Sequence, residues 1–317
     1  MIQYRQHAIH IFLSLWSILF IFYSNDCHAQ TKENITAGVY IEDVHNIDYS
    51  KSTFDIIFFL WVNSDVEMYD LQKYVDINGA TDIDYSLESQ DTLKGKVYHS
   101  EARIKAKMLN NFDVNNFPFD NIRLNLEIEF VKNDATHLIL NPDVEESEIN
   151  PEYIGSDSLR IETTFSKGLS KYTTNFGNKD LGTNVVYPKL HISLNMARDS
   201  WNVFIKLFIT LFIALFLSAG SILLPLKMSE EKFGLIVGSL FTAIGNKYIT
   251  DDLLPMSGNF NLSDRIHLLT FLFITFIAFF AILEQRQKLM LSKKKNFMLF
   301  VGVVCCYGLF VVFATIV

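Results

Sequence analysis

The chain has 317 residues, half of them hydrophobic, with 28 Phe and a formal net charge of −8. The acidic balance argues against a nucleic-acid partner. Its three cysteines (Cys27 and the adjacent Cys305 and Cys306) supply no disulfide framework, so an aqueous domain must rest on its own apolar core.

Arg5 precedes an apolar run over residues 8–23, which ends in a polar stretch with a small residue at Ala29. This pattern reads as a secretory signal peptide over 1–29. The run is short for a span, which needs about 20 residues, and an uncleaved anchor is the alternative. On either reading the chain after Ala29 starts outside the cytoplasm.

Residues 30–197 are polar and rich in Asp and Asn, and several stretches alternate with period 2. Ala102, Ile104, Ala106 and Met108 share one face, with Glu101, Arg103, Lys105 and Lys107 on the other. Ile122, Leu124, Leu126, Ile128 and Phe130 form a second such face, and Leu190, Ile192, Leu194 and Met196 a third. These are half-buried strands. Residues 54–62 are apolar on both faces, as in a central strand packed on both sides. Asn78-Gly79 is a hairpin turn signal. With no amphipathic helix of three turns between 35 and 197, this segment of about 170 residues is predicted to be an all-β antiparallel sandwich, large enough for its own core.

The sandwich segment offers no catalytic pattern. His45, His99, His137 and His191 are scattered without ligand spacing, and no nucleophile motif or phosphate-cradling glycine loop is present. The expectation is therefore no enzyme, no cofactor and no metal. The acidic run Asp143, Glu145, Glu146, Glu148 reads as a solvated loop, with a Ca²⁺ site as the alternative. The most specific local feature is the Phe117-Pro118-Phe119-Asp120 turn, which opens onto the alternating strand 122–130.

From residue 198 to 317 the composition turns apolar, and four segments are predicted to span a bilayer: about 201–226, 233–254, 265–284 and 296–317. The loop before the fourth carries Arg286, Lys288, Lys293, Lys294 and Lys295, while that before the third carries Asp251, Asp252 and Asp264. The basic loop is expected in the cytoplasm and the acidic one outside, in agreement with the signal peptide. In the second segment, at roughly 100° per residue, Gly234, Gly238, Phe241, Gly245 and Asp252 fall on one stripe, with Glu230 just off it at the cytoplasmic end. Such a stripe either packs through a small-residue seam or lines a lumen, and the acidic residues at both ends favour a cation path. Lys247 lies on the far side, placed to snorkel outward or to pair with Asp251.

Taken together, Asp113-Val114, the Phe117-Pro118-Phe119-Asp120 turn, Trp61 near the end of an apolar strand, Arg198 before the first span, Pro255 after the second and a short loop at about 285–295 resemble the pentameric ligand-gated ion channels, the Cys-loop receptor superfamily, in a bacterial form. The match spans nearly the whole mature chain. Asn110 and Leu124 stand where the superfamily's flanking cysteines would be, as in bacterial members that lack that disulfide. The resemblance implies an extracellular sandwich of about ten strands on a four-helix transmembrane bundle, five copies around an axis, in a bacterial inner membrane with the β domain outside. It implies that the second helix lines the pore, with an acidic ring at Glu230, a hydrophobic gate at Phe241 and an outer ring at Asp252. It implies that Phe117, Pro118, Phe119 and Asp120 meet Arg198 and Pro255 to couple the domains. An agonist cage at a subunit interface would draw on Trp61, Tyr172, Phe176 and Tyr187, which otherwise serve as core or edge-strand packing. Two departures stand out: Gly234 and Gly238 replace the usual lower-pore Ser or Thr, and Pro225 ends the first helix in place of a mid-span proline. The implied partners are other copies of the chain, permeant cations, membrane lipid and a small-molecule or ionic agonist; the competing reading is a non-conducting receptor of the same fold.

Overall fold

The computed structural model describes residues 32–150, 160–177, 184–254, 260–286 and 292–316. The expected signal peptide and Pro255 lie outside the described residues. Among the described residues ten strands come first: β1 (Glu33–Asp48), β2 (Thr53–Ser64), β3 (Val75–Asn78), β4 (Ala80–Leu93), β5 (Val97–Leu109), β6 (Ile122–Phe130), β7 (Leu138–Pro142), β8 (Glu148–Ile149), β9 (Arg160–Tyr172) and β10 (Val185–Ala197). One turn of helix, α1 (Leu71–Tyr74), interrupts them. Four long helices follow: α2 (Ser200–Gly220), α3 (Ser229–Asp252), α4 (Leu262–Gln285) and α5 (Lys293–Ile316).

The strands form two sheets, one in the order β4-β5-β2-β1-β7 with β8 added beside β1, the other in the order β3-β6-β10-β9. Period-2 patterning sends one face of each strand inward. Ile35, Ile56, Phe58 and Ile104 of the first sheet and Leu124, Leu126, Ile192 and Leu194 of the second belong to a single buried apolar cluster. The alternation in β6 breaks at Glu129, which is buried and takes hydrogen bonds from the Tyr172 hydroxyl (2.9 Å) and Asn78 Nδ2 (3.3 Å). A buried carboxylate needs such donors.

Two local expectations are corrected. β2 is central, flanked by β1 and β5, but it is closed on one side only: Phe54, Ile56, Phe58, Leu60 and Val62 are buried, while Ile57, Phe59 and Trp61 on the other face are half-exposed. Asn78-Gly79 is not a hairpin turn. β3 pairs with β6 and β4 with β5, so this turn passes the chain from one sheet to the other. Gly79 has φ +82°, the left-handed backbone that glycine adopts without penalty.

The four expected spans become three. Among the described residues, Ser200–Leu223, Leu262–Gln285 and Lys293–Thr315 are long and apolar enough to cross a membrane. The remaining segment, α3, is a helix of 24 residues, but Glu230, Glu231, Lys232, Asn246, Lys247, Asp251 and Asp252 make it too polar to stand as an apolar span.

Phe58→Ala empties a fully buried position in the shared core. It should destabilise the protein by about 3–5 kcal/mol, read as a lowered unfolding midpoint in denaturant.

Candidate functional site

Two groups of residues concentrate the unusual chemistry: the faces of α3, and the place where the sheets meet the helices.

α3 divides into two faces. Lys232, Ile236, Ser239, Ala243, Asn246 and Thr250 are buried against neighbouring helices. Most of these are polar, and all but Ser239 find hydrogen-bond partners. Lys232 Nζ lies 2.6 Å from Glu284 of α4. Asn246 Nδ2 donates to the Leu207 carbonyl of α2 (2.8 Å), and its Oδ1 lies 3.0 Å from His267 Nε2 of α4. Lys247 pairs with Asp251 and, at 2.6 Å, with Asp264.

The other face is open in the single chain. Glu230, Gly234, Gly238, Phe241, Gly245 and Asp252 are all exposed, with Phe241 at 69% and nearby Tyr248 at 74%. A Cβ placed on Gly234, Gly238 or Gly245 would meet nothing within 4 Å apart from the helix's own backbone. The stripe is therefore not a packing seam within this chain. The carboxylates at the two ends of this face are costly against hydrocarbon, while the Thr242 hydroxyl returns to the Gly238 carbonyl (2.8 Å). Such a face suits water or another copy of the chain.

At the junction, the Phe117–Pro118 peptide bond is cis. Phe117 is buried in the sheet core, where its ring meets Tyr49 (centroids 5.6 Å). Phe119 points into the helices and packs on Trp201 (5.0 Å) and Phe204 (5.3 Å). Asp120 Oδ1 lies 2.6 Å from Arg198 Nη2, with both side chains 11% exposed. The Arg198 guanidinium also lies over the Phe117 ring (4.7 Å) and the Tyr49 ring (5.2 Å). Burial pushes the Asp120 carboxyl above the usual carboxylate range, and Arg198 pulls it the other way. The same burial, offset in part by Arg198, raises the Tyr49 hydroxyl to about 12. Further links run from the same loop to α4: Leu262 N–H donates to the Asn115 carbonyl (2.8 Å), and Arg265 donates to Asn116 Oδ1 (3.1 Å).

The four cage aromatics do not come together within one chain. Tyr172 stacks edge-on with Phe176 (5.2 Å) and Tyr187 (6.1 Å) on the β9–β10 hairpin. Trp61 sits on the other sheet, where it lines a 540 Å³ hollow with Tyr40, Phe59, Glu101, Asp143 and Glu146 among others. Its indole N–H donates to Asp143 (3.1 Å), and its ring lies so close over Gly38 that a Cβ there would meet it at 2.2 Å. The pairing Gly38↔Trp61 across β1 and β2 is the sequence signal for this arrangement. The acidic run 143–148 brings together no metal-binding group among the described residues. No protein-family model matches the chain, and no curated protein matches it.

The ion pair at the junction is asymmetric, because burial works against the Asp120 charge while two rings support the Arg198 charge. Arg198→Ala should therefore cost about 3 kcal/mol at neutral pH, and Asp120→Asn roughly half as much. A carboxyl raised on folding binds more protons folded than unfolded, so its stabilising share falls as pH rises from the unfolded value of about 3.9 to the folded value. Without Arg198 the carboxyl is raised further. The Arg198→Ala deficit should thus shrink as pH is lowered towards about 4, checked by denaturant unfolding across that range.

Proposed function

We propose that the chain is one subunit of a pentameric ligand-gated cation channel of the Cys-loop receptor superfamily. The two sheets then form a face-to-face sandwich outside a bacterial inner membrane, and α3 crosses the bilayer as the lining of a water-filled pore. The observation that carries this reading is the open face of α3. It is unpacked within the chain, and it is acidic at both ends. Enclosing five such faces around an axis hides them from hydrocarbon while the three apolar helices meet the lipid.

In this reading Glu230 forms an inner carboxylate ring and Asp252 an outer one. Rings of like charge concentrate cations and repel anions. Phe241, the large apolar side chain on the stripe, closes the pore by dewetting. The Phe117–Asp120 loop, wedged through Phe119 onto α2 and tied by Asp120 to Arg198, transmits movement of the sheets to the helices. Tyr172, Phe176 and Tyr187 on one sheet and Trp61 on the other supply opposite halves of a ligand site completed between neighbouring copies. The protein on this account is not an enzyme.

Purified chain in planar bilayers should pass cation current under some ligand or pH. Glu230→Gln should lower cation-over-anion permeability several-fold, and Phe241→Ala should raise the resting current. A pentamer that passes no current under any ligand, pH or voltage would leave a non-conducting receptor of the same fold as the better account. A protein that is monomeric in detergent would sink both.

A further inference from the structure

Lys232 is a basic residue in the first turn of α3, immediately after Glu230 and Glu231. A cation there opposes the helix dipole and would cancel part of the acidic end. Yet it is not at the open face. Its side chain is 4% exposed, turned across to Glu284 of α4, itself 5% exposed, with Nζ and Oε2 2.6 Å apart. Asn296 of α5 approaches the other Glu284 oxygen (3.4 Å). Three helices thus converge on one buried carboxylate. Glu230 and Glu231, in contrast, are exposed and take part in no ion pair among the described residues.

We infer that Glu284 is a selectivity-determining residue that never touches the permeant ion: it holds Lys232 out of the pore mouth. This rests on the channel reading above. Paired with Glu284, Lys232 is neutralised inside the helix bundle, and each copy presents Glu230 and Glu231 at this end of α3 without a paired cation among the described residues. Remove the Glu284 charge, and a buried ammonium is left without a partner. Its flexible four-carbon stem then carries it to the nearest water and counter-charge, which are at the start of α3 beside Glu230 and Glu231. Glu284 acts through Lys232 and is a positioning residue.

The test is the reversal potential of the full-length protein in planar bilayers under a KCl gradient. Glu284→Gln should move it towards the chloride potential, with cation-over-anion permeability falling roughly threefold or more, since water-screened unit charges about 10 Å apart interact at close to thermal energy. Lys232→Met combined with Glu284→Gln removes both charges and should restore wild-type selectivity, which a merely structural role for Glu284 would not do. Where Glu284→Gln does not assemble, Glu284→Asp keeps the charge on a shorter stem and should give a smaller shift of the same sign. Unmoved reversal potentials in conducting Glu284→Gln and Glu284→Asp channels overturn this inference and leave the channel reading standing. A shift that persists in the double variant also overturns it. A wild-type protein that never conducts overturns both.

Discussion

Lys232, Asn246 and Lys247 each reach a partner on a neighbouring helix, and through them the least apolar helix is held among three apolar ones. Polar groups withdrawn from water are tolerated only when paired. Here the pairing fixes the rotation of α3 about its own axis. Turn the helix by half a turn, and Lys232 and Asn246 lose their partners while Glu230 and Phe241 collide with the bundle. The direction in which the glycine stripe looks is thus a consequence of what is bonded behind it.

The junction obeys the same logic on a smaller scale. Phe117 and Phe119 are two residues apart yet serve different cores, one in the sheets and one in the helices. Asp120 and Arg198 pair beside them, each 11% exposed, with the Phe117 and Tyr49 rings over the guanidinium. An ion pair there is directional where apolar contacts are not, so it sets the angle at which the loop meets the start of α2 while the phenylalanines supply the grip.

Much of this was legible in the chain. Period-2 runs in β5, β6 and β10 gave strands with the correct inward faces, because one buried face leaves a strict trace in the alternation. The open stripe of α3 was legible for the same reason, at helical period. Other features were hidden. Asn78-Gly79 signals a turn but not whether the strands on either side pair, which depends on contacts far along the chain. The run 54–62 looked closed on both sides because Phe59 and Trp61 are apolar, although their face is open within one chain. The polarity of α3 is masked in the sequence because Asn246 and Lys247 sit inside a run that otherwise reads as apolar. The Lys232–Glu284 pair, 52 residues apart, left no local sign at all.

Leu254, just beyond α3, is 5% exposed and belongs to the apolar cluster of the sheets, against which Val203 and Leu207 of α2 also pack. The boundary between the two regions is therefore not a seam. A fragment cut at residue 197 would retain every strand and still lack part of its own interior, with a hole where these helix residues had been. The end of α3 is thus packed into the sheets' own interior through Leu254, so its last turn shares a core with the strands.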